Sequence, residues 1–384
     1  MAGERARAKA IVSHGSLEDG QWRMEDVTLR PLREGELLVD IIASGVCHTD
    51  ILFGSLKEGP SVIYPSIKGH EGSGYVKAVG SAVTVAQKGD PVLLSFSSCG
   101  SCHACADQVP SYCTSFNQLN FLGSKNFDLA SSTASSGKPS ISGQFFGQSS
   151  FANTTIVSQK SVVNANNLFK NRQELELFAP LGCGIQTGAG TIINVAQAGA
   201  KDAVVVLGLG GVGLSAIMAA KLLGCQKIIG IDKVSSRLSL AKEIGATHVV
   251  NTLELDGSSL VDKVREATDG LGATVTMDTT GVKALTMQGI EFTRNHGKII
   301  QVGSNGLEDL ADFPMLLFMV SGKQFLGAVE GGATPSKFIP QLIQWYHEGR
   351  FPIDKLIKRF KADEWEKAIH EMHEGETIKP ILLW

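Results

Sequence analysis

Four of the chain's seven cysteines fall in one short run, Cys99-x2-Cys102-x2-Cys105-x7-Cys113. Four thiolates so close in sequence can close a tetrahedral shell round one soft cation and leave no open position, the ligand arithmetic of a structural zinc. Three further candidates are scattered: Cys47 in Val46-Cys47-His48-Thr49-Asp50, His70 in Gly69-His70-Glu71-Gly72 and Cys183 in Gly182-Cys183-Gly184. Two thiolates and one imidazole leave a fourth position for water or substrate, as a catalytic zinc requires. Cys-x2-Cys-x2-Cys also opens iron–sulfur ligand runs, although here the fourth cysteine comes only after seven intervening residues and no proline follows it. Taken singly, Cys47, Cys183 and His70 would each pass for a buried core residue. Their company argues otherwise, because Asp50 and Glu71 set carboxylates near two of the proposed ligands and glycines flank His70 and Cys183. Cys225, behind Gly224, has no such neighbours and reads as a spare thiol.

A second constellation concerns phosphate. The apolar run Ala203-Val204-Val205-Val206-Leu207 suits a central strand and leads directly into Gly208-Leu209-Gly210-Gly211-Val212-Gly213 and a helical stretch over 214–223. Glycines at 208, 210 and 213 permit a tight turn, close approach of a pyrophosphate and helix-to-strand packing, while the helix N-terminus favours the phosphate charge. A second strand over 227–231 ends at Asp232, 19 residues beyond Gly213, placed to accept from a ribose 2′-hydroxyl. The same carboxylate favours NAD over NADP, since like charges about 4 Å apart repel by roughly 4 kcal/mol at an effective dielectric of ~20. Further strands are expected at 246–250, 273–278 and 298–302. Loops at strand carboxyl ends approach a bound ligand, which puts Val302 and Gly303 beside the nicotinamide.

The elements that must position these residues follow from length and pattern. At 384 residues two domains are expected. The first third carries short β-branched runs and glycine turns, such as 37–42 and 74–80, and reads as an irregular β domain. The serine-rich stretch 130–137 has too little apolar content for a core and is expected as a surface loop. From about residue 185 strands alternate with amphipathic helices, the signature of a doubly wound parallel sheet. The last fifty or so residues are mixed, with helices expected near 337–347 and 364–373. A net charge of −3 makes no electrostatic case for nucleic acid or an anionic membrane. No apolar stretch approaches membrane-spanning length, and the charged start lacks the apolar run of a signal peptide. A cytoplasmic protein is expected, with reduced thiols available for metal ligation.

With these residues in place, the chain resembles the zinc-containing, medium-chain alcohol dehydrogenase family over nearly its whole length. Gly69-His70-Glu71-x2-Gly74-x5-Gly80-x2-Val83, the four-cysteine run and Gly208 to Gly213 carry the resemblance. It implies an α/β fold: a Rossmann doubly wound parallel sheet over 185–329, and an irregular, mainly-β, GroES-like catalytic domain over 1–184, to which 330–384 return. It implies NAD, one catalytic and one structural zinc per chain, an alcohol or aldehyde as partner, and a homodimer. Carried over to matching positions, Cys47, His70 and Cys183 hold the catalytic zinc with Glu71 beside it, Asp50 orients His70, and Thr49 takes the substrate's proton. His48, Arg237 and Lys379 fall where cofactor-contacting cations are found; Thr187 approaches the nicotinamide, and Phe145 and Phe146 form pocket walls. Leu52 departs from the many liver-type members that have histidine there to end a proton relay. An apolar residue at that position, and Gln144 to Phe151, look like the branch acting on benzyl and other aryl or allylic alcohols. A metal-independent quinone or enone reductase of the same superfamily, and a non-catalytic zinc-binding module, are the rival readings.

Overall fold

The computed structural model describes residues 5–59, 61–130, 140–255, 257–304, 306 and 310–384. The expected serine-rich loop lies, Ala130 apart, outside them. The chain divides into two compact units: Met1–Cys183, Thr334–Gln344 and Asp354–Trp384 form one, Gly184–Ala333 and Trp345–Ile353 the other. The returning segment is therefore shared between the units, a division that periodicity alone does not reveal.

In the first unit, the apolar strand Glu36–Gly45 does most to gather the site. It pairs antiparallel with Gly72–Val79 (Ser44 opposite Gly72), with Thr154–Ser158 and with Lys379–Leu383 (Gly45 opposite Ile381). Antiparallel neighbours run in opposite directions. Residues that follow the first strand therefore emerge beside those that open the second and fourth: Val46 and Cys47, Gly69 to Glu71, and Lys379. Pro91–Leu94 lies against Gly72–Val79 with Leu93 opposite Ser73, which brings Ser95 to the same end. A closed five-stranded barrel of Arg7–Ser13, Trp22–Leu29, Ser124–Leu129, Ile141–Gly143 and Ser66–Ile67 completes the β framework. Its core of Val27, Phe127 and Phe151 includes Trp22, whose ring stacks on Trp365 at 6.0 Å between centroids. Each such side chain contributes about 1.5–3 kcal/mol by leaving water.

The second unit is a six-stranded, all-parallel sheet in the order His248–Asn251, Lys227–Asp232, Ala203–Leu207, Ala273–Asp278, Thr293–Gln301, Gln324–Gly327. Burial on both faces explains why its central strand reads as a continuous apolar run. The strand expected at 246–250 runs over His248–Asn251; just before it the Thr247 N–H donates to the Ile228 carbonyl at 2.8 Å while its hydroxyl accepts from the Ile228 N–H at 2.9 Å. Helix Gly211–Leu222 follows the glycine turn. A Cβ on Gly213 would lie 1.9 Å from the Gly208 carbonyl oxygen, so this close helix-to-turn packing admits only glycine. At the far end, Gln324–Gly327 is paired on one side only among the described strands. Ahead of it, helix Met315–Ser321 exposes Met315, Leu316, Met319 and Val320. No helix among the described residues is long and apolar enough to cross a membrane.

Candidate active site and metal centres

Cys47, His70, Glu71 and Cys183 converge and are all buried, with one ligand atom from each within 4.8 Å of the others. His70 Nε2 lies 3.2 Å from Cys183 Sγ. Cys47 caps helix His48–Ser55, and Cys183 follows the turn Ala179–Gly182. Cys183 is seated by close backbone contact: a Cβ on Gly182 would be 1.9 Å from the Leu94 carbonyl oxygen, and Ser95 Oγ donates to the Gly182 carbonyl at 2.6 Å.

Asp50 ties two of these segments together. One oxygen accepts from the Gly69 N–H at 2.9 Å and meets His70 Nδ1 at 2.8 Å; the other accepts from the Cys47 N–H at 3.1 Å. With Nδ1–H donated to Asp50, Nε2 is left as the ligand nitrogen. Burial pushes His70 down, but Asp50, as a charge and a hydrogen-bond partner, and then Cys47 hold it well above its ordinary value. The Cys47 thiol is held well below the cysteine range, first by its hydrogen bond with Cys183, against burial and with help from Lys379 and His70. Glu71, fully buried, is met by Lys379 Nζ at 3.0 Å from both its oxygens, and the same ammonium lies 3.1 Å from the Val46 carbonyl. Burial lowers Lys379, but Glu71, Cys47 and Cys183 reverse this and keep it protonated. All three of its N–H groups thus have acceptors here, a charge partnership with Glu71 that sequence reasoning did not anticipate. Gly45 leaves room for it, since a Cβ there would be 2.0 Å from Glu71 Oε2.

Aromatic rings wall this cluster. Phe146 stacks on His70 at 4.4 Å between centroids, and Phe145 meets the same ring edge-on at 5.7 Å. Gln144, Phe146 and Ser149 hold left-handed backbone angles (φ 58°, 53° and 58°), each costing of order 1–3 kcal/mol. Buried hydrogen bonds impose them. Ser149 Oγ donates to the Ile67 carbonyl and accepts from the Phe145 N–H, and Ser161 Oγ donates to the Phe146 carbonyl. Gln148 donates to the carbonyls of His70 and Ser95 and accepts from the Gly72 N–H. It thereby braces the backbone of a ligand residue, a role its sequence context does not signal. Thr49 and Leu52, both half-buried, lie three residues apart on the helix that Cys47 caps, and are therefore neighbours on its surface; His48 is exposed. Lys68, only 2% exposed, places its ammonium 5.1 Å over the Phe145 ring, and burial pushes it down to about 8.

In the four-cysteine lobe, Cys102 Sγ lies 3.6 Å from Cys105 Sγ and 3.9 Å from Cys113 Sγ, and Cys99 Sγ lies 3.9 Å from Cys105 Sγ. A tetrahedron of ~2.3 Å zinc–sulfur bonds has edges of about 3.8 Å, so the residues fit one zinc ion. A multi-iron cluster would set the thiolates on separate irons and further apart. The N–H groups of Ser101 and Cys102 donate to Cys99 Sγ and lower that thiol. Cys102 is lowered to about 5 by backbone hydrogen bonds from Thr114 and Cys105, whereas burial and then its sulfur neighbours raise Cys105 to about 11. Cys225 is a lone buried thiol, raised to about 11 by burial.

In the second unit Gly208, Gly210, Gly211, Val212 and Gly213 form the turn and the first residues of the helix. Asp232 accepts from the Leu209 N–H at 2.7 Å and from those of Lys233 and Val234 at 2.7 and 2.9 Å, which clips the glycine turn to the end of the neighbouring strand. Arg237 lies 4.0 Å from it. Asp278, fully buried, accepts from Thr280, Thr286 and Gln301, and its carbonyl receives the N–H groups of Val302 and Gly303. Thr187 is buried in helix Gly184–Gly190. Asp278 escaped sequence reading, although a carboxylate closing an apolar strand is a usable signal.

Two family domains are matched: residues 33–167 by the alcohol dehydrogenase GroES-like domain and residues 211–348 by the zinc-binding dehydrogenase domain. The chain therefore belongs to the zinc-containing medium-chain alcohol dehydrogenases, oxidoreductases that use zinc and a nicotinamide dinucleotide. It is 36% identical over 365 residues to a geraniol dehydrogenase of Castellaniella defragrans, covering 95% of each chain. Benzyl alcohol dehydrogenase from Acinetobacter calcoaceticus superimposes with a TM-score of 0.88 at 37% identity over 98% of this chain and 99% of that one. An alcohol dehydrogenase zinc-binding domain protein from Burkholderia ambifaria gives 0.90 at 36% identity over 99% of both.

The two constellations predict two zinc ions per chain. Cys47→Ala should retain one zinc and lose activity, and Cys99→Ala should lose the other ion together with thermal stability. Metal analysis finding iron and sulfide, or full activity in Cys47→Ala, would contradict the assignment.

Proposed function

We propose that the chain oxidises primary aryl or allylic alcohols to aldehydes, reversibly and with NAD, as a cytoplasmic homodimer. The observation that carries the reading is the buried convergence of Cys47, His70 and Cys183, with Glu71 beside them, against the aromatic wall of Phe145 and Phe146. A zinc ion held there would supply Lewis-acid chemistry, easing loss of an alcohol's proton. Cys47, His70 and Cys183 hold the ion, Asp50 fixes the imidazole, and Glu71 stands beside it with its charge balanced by Lys379. Thr49 accepts the alcohol's proton. Leu52 has no group to pass it on, which leaves His48 or water as the outlet on this helix. Asp232 receives the ribose 2′-hydroxyl, the helix N-terminus at Gly211 to Gly213 faces the pyrophosphate, and Val302 and Thr187 flank the nicotinamide. Arg237, and Lys379 if it leaves Glu71, supply further positive charge to the cofactor. A geraniol dehydrogenase and a benzyl alcohol dehydrogenase among the similar proteins support the substrate class, since geraniol is allylic and benzyl alcohol aryl. The metal-independent reductase leaves the ligand set without a purpose, and the zinc module leaves the glycine turn without one.

Dimerisation is supported by the strand Gln324–Gly327, whose outer edge can pair with its own copy about a two-fold axis, and by the exposed apolar helix before it. Met319→Glu with Val320→Glu should convert a dimer to monomers in sedimentation velocity. A monomeric wild-type protein excludes this assembly.

On substrate, kcat/KM for benzyl alcohol should exceed that for ethanol at least tenfold, and Thr49→Ala should lower oxidation by about 10²-fold. Leu52→His should add a group titrating near pH 6.5 to the pH profile of oxidation. Equal turnover of ethanol and benzyl alcohol would sink the substrate reading, and an unaffected Thr49→Ala the proton route. On cofactor, NADH quenching of protein fluorescence should report tighter binding than NADPH; the reverse order would show that Asp232 does not select the cofactor.

A further inference from the structure

We propose that the small pocket beside Lys68 and Ser66 is a binding site for a single halide-sized monovalent anion. The pocket has a volume of about 10 Å³ and is lined by Ile63, Ser66, Ile67, Lys68, Phe121 and Phe145, among others. Room of that size suits one water-sized ligand.

Two polar groups on its wall lack partners. Lys68 is 2% exposed, and its ammonium makes no hydrogen bond or ion pair with any described residue; the contact it does make is with the Phe145 ring face. Ser66 Oγ is fully buried and has no hydrogen-bond partner. Asp50, the carboxylate whose field reaches Lys68, has both its oxygens engaged by Cys47, Gly69 and His70. An ammonium buried among apolar side chains is costly unless a counter-charge meets it, and a cation–π contact compensates only in part. An ammonium donates only, and the Ser66 hydroxyl is free to donate as well. Two donors without protein acceptors, on a wall that also carries Ser142, favour a ligand that accepts hydrogen bonds and carries negative charge. Water satisfies the hydrogen bonds but leaves the charge. A halide satisfies both.

The site is separate from the metal ligands but shares a wall with them, because Phe145 receives Lys68 on its face and meets His70 with its edge. An anion there would fix the ammonium over the ring and, through the ring, the wall of the alcohol pocket.

The test is crystallographic and thermal. Crystals of the zinc-loaded enzyme in sodium bromide should show an anomalous peak between Lys68 Nζ and Ser66 Oγ. In solution, replacing gluconate with chloride or bromide at constant ionic strength should raise Tm by about 2 °C per tenfold halide above the dissociation constant. Lys68→Met should abolish both effects, and Ser66→Ala should weaken the halide response while keeping the charge. Absence of the peak in wild type, ordinary water in its place, or an equal halide response in Lys68→Met would overturn the proposal. A peak only at molar bromide with no shift in Tm would mark an adventitious ion and overturn it too.

Discussion

Withdrawing a carboxylate from water is tolerable only when its lone pairs are taken up by donors, and Asp50 meets that condition with groups that belong to the metal site itself. Its partners are the Cys47 N–H, the Gly69 N–H and His70 Nδ1. The acid therefore cannot be solvated without releasing the backbone of one ligand and the ring of another. Its hydrogen bonds fix the distance between two segments twenty residues apart, and the antiparallel register of Ser44 with Gly72 makes that distance short enough to bridge. Everything else around the cluster is arranged at the same strand ends: Gln148 behind the His70 carbonyl, Ser95 against Gly182, and Lys379 opposite Glu71.

How much of this could be read in advance depends on how local each feature is. The glycine turn, its strand and its helix are contiguous, so their identity and bounds are legible from a few residues, and the same holds for the cysteine lobe. Cys47, His70 and Cys183 are legible by type, but their convergence rests on strand register and on the fit of Gly182 under the Leu94 carbonyl, which no spacing rule encodes. Lys379 shows the limit. Its position suggests a cofactor contact and gives no sign of the acceptors it meets at Glu71, 308 residues earlier, and at Val46. Lys68 stood beside Gly69-His70 without attracting notice, since most lysines are at the surface and only the packed barrel shows this one to be enclosed.

The aromatic wall illustrates a different economy. Three non-glycine left-handed residues within Gln144 to Ser149 are unfavourable taken alone, and the strain is held by side-chain hydrogen bonds of Ser149 and Ser161 to the Phe145 N–H and the Phe146 carbonyl. The result is that Phe145 and Phe146 meet one imidazole from two directions. A wall shaped by backbone that is so tightly over-determined holds its contour when the side chains around it vary.

The position of Lys379 has a consequence for how the chain is made. The strand that carries it lies inside the sheet, between Glu36–Gly45 and Ile357–Lys361, yet it is synthesised more than three hundred residues after Glu71. Until residues 379–383 have been made, Glu71 and its neighbouring thiols lack their balancing ammonium and the sheet lacks one of its inner strands. Only then can that gap close. Closure of the metal-ligand cluster is thus tied to residues 379–383, and a chain lacking this strand carries its ligands with an unbalanced charge and an unpaired sheet edge.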